Sequence, residues 1–183
     1  MPILGTELEI WDADCNKLPD GEIGEVVLTG KCMMNGYLPD DVINESGIYT
    51  DKNGKNWIRT GDVGYIEDGH LRFTSRIKRI IIIAGYNIYP ATIERKVLTL
   101  NSVAEACACQ GYDENGKPYV KLVIAPFNPQ ADREALKEEV MSFCKENVEG
   151  YACPRKIEVM DALPRTKMEK IDFVLLSDKL PTE

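Results

Sequence analysis

Two hydrophobic periods share this chain, and the change between them constrains its fold more than any other feature. In the first part the apolar residues alternate, as they do in strands with one face buried. "TELEIWD" (6–12) and "GEVVLTG" (24–30) are β-prone runs separated by the turn-forming "ADCNKLPDGE". "DVGYIEDGHLRFTSR" (62–76) reads as a hairpin whose strands meet at Asp68-Gly69, a favoured pair for a tight turn. The run from Ile80 to Ala84 predicts a buried strand, broken by Gly85 and Asn87. From Pro90 a helical spacing enters. "PATIERKVLTLN" suits a helix with proline in its first turn, and Ile93, Val97 and Leu100 line one face.

Further along, "VAEACACQ" and "YVKLVIAP" predict two strands joined by a turn. "ADREALKEEVMSFCKENV" (131–148) predicts an amphipathic helix burying Leu136, Val140 and Phe143, with Cys144 beside them. "RKIEVMD" (155–161) adds a strand and "KIDFVLLSDKL" (170–180) a closing helix. This order predicts a compact α+β unit after a β-rich first part, with the boundary between residues 76 and 80.

Charge and composition exclude several functions. The net charge is −8. Residues 1–77 hold 7 basic and 14 acidic groups, net −7, so the electrostatic footprint of a nucleic-acid binder is missing. One local basic cluster, "SRIKR" (75–79), could still meet a small polyanion. No apolar run is long enough to span a bilayer. Met1 is followed by Pro-Ile-Leu-Gly instead of a secretion signal, so the expected location is cytoplasmic. The six cysteines form no C-x-x-C pair and His70 is the single histidine, which predicts free, mostly buried thiols and no metal site. The lone histidine also argues against Ser-His and Cys-His catalysis.

Three stretches then line up: "GEIGEVVLTGKCMMNGYL" (21–38), "RTGDVGYIEDGHLRFTSRIKRIIIIAGYNIYPATIE" (59–94) and "LPRTKMEKID" (163–172). Their order and spacing resemble the C-terminal third of the adenylate-forming, AMP-binding enzymes, most of all the acyl-CoA synthetases that act on fatty or aryl acids. The resemblance covers nearly the whole chain. It implies that residues 1–77 are the β-rich end of the large adenylation domain and residues 78–183 the small mobile C-terminal domain. It also implies a two-step reaction: a carboxylate attacks the α-phosphate of ATP, and the thiol of CoA then displaces AMP.

The resemblance carries over to particular residues. Asp62, in the Thr-Gly-Asp motif, corresponds to the acid that accepts from the ribose hydroxyls of the nucleotide. Arg76 corresponds to the arginine that reaches ribose or phosphate, here after Ser75 where glycine is usual. Lys78 falls on the hinge about which the mobile domain turns. Gly85 falls in the loop that approaches the pantetheine arm of CoA, with Tyr86 beside it. Lys170 corresponds to the catalytic lysine, whose ammonium bridges the acyl carboxylate and an α-phosphate oxygen. Glu169 stands where the family pattern has glycine, so an altered loop or an ion pair with Lys170 is expected there.

The phosphate-binding loop, the magnesium-contacting motif and most of the acyl pocket are expected upstream of this sequence. The chain therefore reads as a fragment of an ATP-dependent acyl-CoA ligase, inactive alone, that works with ATP and Mg, CoA, a carboxylic acid and the upstream part of the enzyme. The alternative is a stand-alone, non-catalytic module that binds CoA, a nucleotide or a partner protein.

Overall fold

The computed structural model describes residues 5–34 and 47–179. The chain divides into two compact units, Met1–Lys78 and Arg79–Glu183. The end of the first quoted motif, residues 35–38, lies outside the described residues.

The first unit is an antiparallel sheet of β1 (Thr6–Trp11), β2 (Gly24–Gly30), β3 (Ile48–Thr50), β4 (Asn56–Glu67) and β5 (His70–Arg76). The order is β1-β2-β4-β3, with β5 also pairing β4. Asp68 and Gly69 take φ of 50° and 71°, so the expected hairpin closes through two consecutive left-handed residues. That geometry matches the right-handed twist of the strands it joins. Trp11, Val27 and Trp57 form a small core, with the two indoles 5.1 Å apart and Tyr49 edge-on to Trp11 at 5.3 Å. Phe73 on β5 is 53% exposed.

The second unit opens with a hairpin where the sequence predicts one strand and a break. β6 (Ile81–Ile83) pairs with β7 (Tyr86–Ile88) through a turn at Ala84 and Gly85. Asn87 thus lies within a strand. The apolar run is buried on one side only: Ile81 is 3% exposed but Ile82 is 60% exposed, because alternate residues of a two-stranded ribbon face opposite ways.

After α1 (Pro90–Val97) come β8 (Val103–Tyr112), β9 (Pro118–Pro126), α2 (Arg133–Asn147), β10 (Lys156–Val159) and α3 (Phe173–Leu176). Pro90 occupies the first turn of α1. Asp132 caps α2 by accepting from the Glu134 and Ala135 amides, groups with no partner inside the helix. β10 runs parallel to β9 after the α2 crossover, and β8 pairs β9 on its other side in antiparallel register.

This three-stranded sheet is covered on both faces. Val120, Leu122 and Ile124 pack with α1 and α2 residues such as Ile93, Val97, Leu136 and Val140. Cys107, Cys109, Val123 and Ala125 face the other way, under Leu163, Ile171, Phe173 and Leu176. Lys121, only 5% exposed, falls on this second face by alternation and is ion-paired to Asp178. Burial alone would push the Lys121 ammonium down, but Asp178 and Glu158 outweigh it and hold it above its ordinary value.

Two further expectations need correction. Phe143 is not in the buried stripe of α2, which consists of Leu136, Val140 and Cys144. The closing helix shrinks to the four residues of α3: Asp172 caps its start, and Ser177 leaves it in extended conformation. The Asp178 amide then bonds the Gln110 carbonyl of β8, so the sheet edge claims the chain before a second turn can form. The six cysteines are free; Cys107, Cys109 and Cys144 are buried, and Cys32 is exposed.

Leu122 is fully buried between the sheet and both long helices. Leu122→Ala is expected to cost about 2–5 kcal/mol in the unfolding of the second unit, read from urea melts. A loss below about 1 kcal/mol would contradict the packing described.

Candidate functional site

The Thr60–Gly61–Asp62 turn is built inside β4. The Gly61 amide donates to Glu25 Oε1 at 3.1 Å, and Arg59 Nε donates to the same carboxylate at 2.7 Å. Thr60 Oγ1 donates to the Val26 carbonyl and accepts from the Asp62 amide at 3.0 Å. Gly61 takes φ of 70°, and the β2–β4 register shifts between Glu25 and Val27 on the facing strand. A kink of this kind re-aims the side chain that follows it. Here that side chain is Asp62.

The β4–β5 register sets Asp62 opposite Arg76, with Arg76 Nε 2.7 Å from Asp62 Oδ1. The separation is that of an ion pair, but the N–H is not aligned on the oxygen. Oδ1 is therefore buried with no hydrogen bond. Arg76 is largely exposed, which limits the stabilisation from the pair to about 1 kcal/mol or less. The two expected nucleotide residues are brought together.

Lys78 sits in a 3-10 turn, Ile77–Arg79, and is exposed. Immediately after it Arg79 is ion-paired to Glu94 of α1 and also donates to the Ala108 carbonyl of β8. Glu94 in turn accepts from the Ala108 amide at 2.9 Å. The exposed Lys78 thus abuts an anchored arginine.

Ala84 and Gly85 take φ of 49° and 84° and form the β6–β7 turn. A Cβ added at Gly85 meets nothing within 4 Å, so within this chain the turn conformation, not crowding, calls for glycine. Tyr86 follows and stacks on Tyr151, centroids 4.9 Å apart and planes 21° from parallel. Both rings remain about half exposed. Burial, with the Tyr151 phenol nearby, pushes the Tyr89 phenol up.

Lys170 ends a closed loop. Arg165 and Ile171 bridge in antiparallel fashion, the Thr166 amide donates to the Lys170 carbonyl at 2.7 Å, and the Glu169 amide donates to the Thr166 carbonyl at 3.0 Å. Glu169 takes φ of 59°. A glutamate thus adopts the left-handed conformation for which glycine is suited, and the loop closes around it. Among the described residues, no ion pair joins Glu169 to Lys170, so the expected pairing is not formed. Lys170 itself is exposed.

Three contributors escaped the sequence reading. Glu25 supports the Asp62 turn from 36 residues away, Tyr151 stacks on Tyr86, and Glu105 of β8 is ion-paired to Arg165 beside the Lys170 loop. Glu105 did carry a signal: it alternates with Cys107 and Cys109, an acid in line with an apolar face. Its partner could not be read from spacing.

Residues 92–170 match the family of the AMP-binding enzyme C-terminal domain. The chain is 32% identical over 172 residues to a long-chain-fatty-acid–CoA ligase of Escherichia coli O6:H1, covering 93% of this chain and 29% of that one. It is 34% identical to the 2-succinylbenzoate–CoA ligase of Bacillus licheniformis, covering 93% and 34%. Among solved structures it superposes on O-succinylbenzoate coenzyme A synthetase from Bacillus subtilis, in complex with ATP and magnesium ion, with a TM-score of 0.78, 30% identity and coverage of 97% and 35%. The chain thus spans about a third of the length of the proteins it matches.

Holding glutamate in the left-handed region costs about 1–2 kcal/mol, against about 0.4–1 kcal/mol for the extra unfolded-chain freedom of glycine. Glu169→Gly is therefore expected to stabilise the second unit by roughly 0.5 kcal/mol, seen as a higher urea midpoint. A lower midpoint would mean that the loop holds Glu169 without strain.

Proposed function

Because this chain matches the C-terminal part of the adenylate-forming CoA ligases, we propose that it supplies that part of an AMP-forming acyl-CoA ligase. In this reading Asp62 accepts from the ribose hydroxyls of ATP, and Arg76 steadies the nucleotide as a permanently charged donor. The pairing of Asp62 with Arg76 supports the assignment, since it sets an acceptor carboxylate and a permanently charged donor side by side. Lys78 is the hinge, and the firm seat of Arg79 gives the rotation a fixed end. The turn at Gly85 and Tyr86 meets the pantetheine arm of CoA.

Lys170 draws the acyl carboxylate and the α-phosphate oxygen together and offsets the charge that develops between them. The observation that carries the reading is its loop. Thr166 and Lys170 close around a left-handed residue, so the lysine extends from a backbone of set geometry. The family match reaches Lys170, which favours the ligase over a stand-alone binding module. Among the described residues no group of three His, Cys, Asp or Glu side chains is placed to hold a metal ion. The ligands of the magnesium that accompanies ATP are assigned to the upstream part of the enzyme.

Lys170→Ala in the full-length enzyme is expected to lower ATP–pyrophosphate exchange about 100- to 1000-fold. Exchange at the wild-type rate overturns the assignment. The 183-residue chain alone is expected to release no pyrophosphate from ATP and a carboxylic acid.

A further inference from the structure

We propose that Glu105 is a positioning residue for Lys170, acting through Arg165. Glu105 lies near the start of β8, beside a bulge that shifts the register between Val103 and Glu105. The bulge lets Val103 join the helix-covered face while Glu105 keeps the alternation of Cys107 and Cys109. That face is covered by Leu163 and the segment after it. The carboxylate is 21% exposed and reaches the Lys170 loop twice. Oε2 accepts from the Leu163 amide at 3.1 Å, and Oε1 is ion-paired to Arg165 Nη2. The other terminal nitrogen of the same guanidinium, Nη1, donates to the Glu169 carbonyl at 2.9 Å.

A continuous chain therefore runs from the sheet, through Glu105 and Arg165, to the peptide that joins Glu169 to Lys170. Glu169 is the strained residue of the loop. Its carbonyl would be free to turn outward if the chain relaxed to negative φ, and that turn would move Lys170. The Arg165 fork holds it, because a planar guanidinium can serve a carboxylate and a carbonyl at once. Among the described residues, Glu105 is the one side chain from outside residues 163–172 that hydrogen-bonds this segment. The sheet is the rigid element here, and the loop borrows its rigidity through one acid.

The inference rests on Lys170 being the adenylation lysine, so Lys170→Ala is measured beside it. In the full-length enzyme, Glu105→Gln keeps the size of the side chain and removes the charge that seats Arg165. The expected result is a fall in kcat for ATP–pyrophosphate exchange of about ten- to a hundredfold. KM for ATP and acid stays within about twofold, because the nucleotide contacts proposed for Asp62 and Arg76 are untouched. Thioester formation from supplied acyl-adenylate and CoA is unchanged. Arg165→Gln gives the same loss, and the double variant adds nothing further, since both act through one chain of contacts.

Exchange unaffected by Glu105→Gln, with Lys170→Ala inactive, overturns the positioning role and leaves the ligase reading standing. Exchange unaffected by Lys170→Ala removes the ligase reading of that lysine and this inference with it. An equal loss in both half-reactions together with a lower thermal midpoint also overturns it, because that marks a residue needed only for folding.

Discussion

Backbone turns of positive φ decide where the candidate side chains stand. Gly61 precedes Asp62, Ala84 and Gly85 precede Tyr86, and Glu169 precedes Lys170. In each case the chain reverses or kinks at the left-handed residue, and the next side chain is directed by that event instead of by the regular alternation of a strand. At two of these turns the residue just before the candidate side chain is glycine, which takes the conformation without strain, although Ala84 before Gly85 is left-handed as well. The third uses glutamate, and there the structure adds an arginine fork and a sheet-borne acid to hold it.

The second unit shows how such support becomes available. Its sheet is buried on both faces, so something must cover the side that α1 and α2 do not reach. The segment from Leu163 to Leu176 does so, and it carries the Lys170 loop with it. Hydrophobic burial of Leu163 before the loop and of Leu176 after it fixes both stems. Lys121 and Asp178 then tie down the segment that follows, and a buried ammonium of this kind is tolerated because it is paired. Placement of the Lys170 loop and core formation are thus the same packing event in this unit.

Much of this was legible beforehand. The Asp68-Gly69 hairpin, the α1 and α2 stripes and the paired β8 and β9 strands follow from period and turn chemistry, which act over a few residues. Each error has its own physical cause. The hairpin at Ala84-Gly85 was missed because a five-residue apolar run carries no period, and α3 was overextended because the competing edge bond to Gln110 lies 68 residues away. Spacing places Phe143 in the core, whereas the stripe that α2 buries runs through Leu136, Val140 and Cys144 at intervals of four residues and passes beside it.

For the candidate site the division is similar. The sequence by itself determined which residues are candidates: the order and spacing of Thr-Gly-Asp, Ser-Arg-Ile-Lys and Pro-Arg-Thr single out Asp62, Arg76, Lys78, Gly85 and Lys170, because side-chain chemistry and local backbone freedom are written one residue at a time. Only the tertiary structure decided what holds them. The register that faces Asp62 with Arg76, the Glu25 carboxylate beneath Gly61 and the Glu105–Arg165 chain behind Lys170 all depend on contacts between residues 14 to 60 positions apart. Such partners meet only when burial of the shared core brings distant strands together, and no local pattern encodes that meeting.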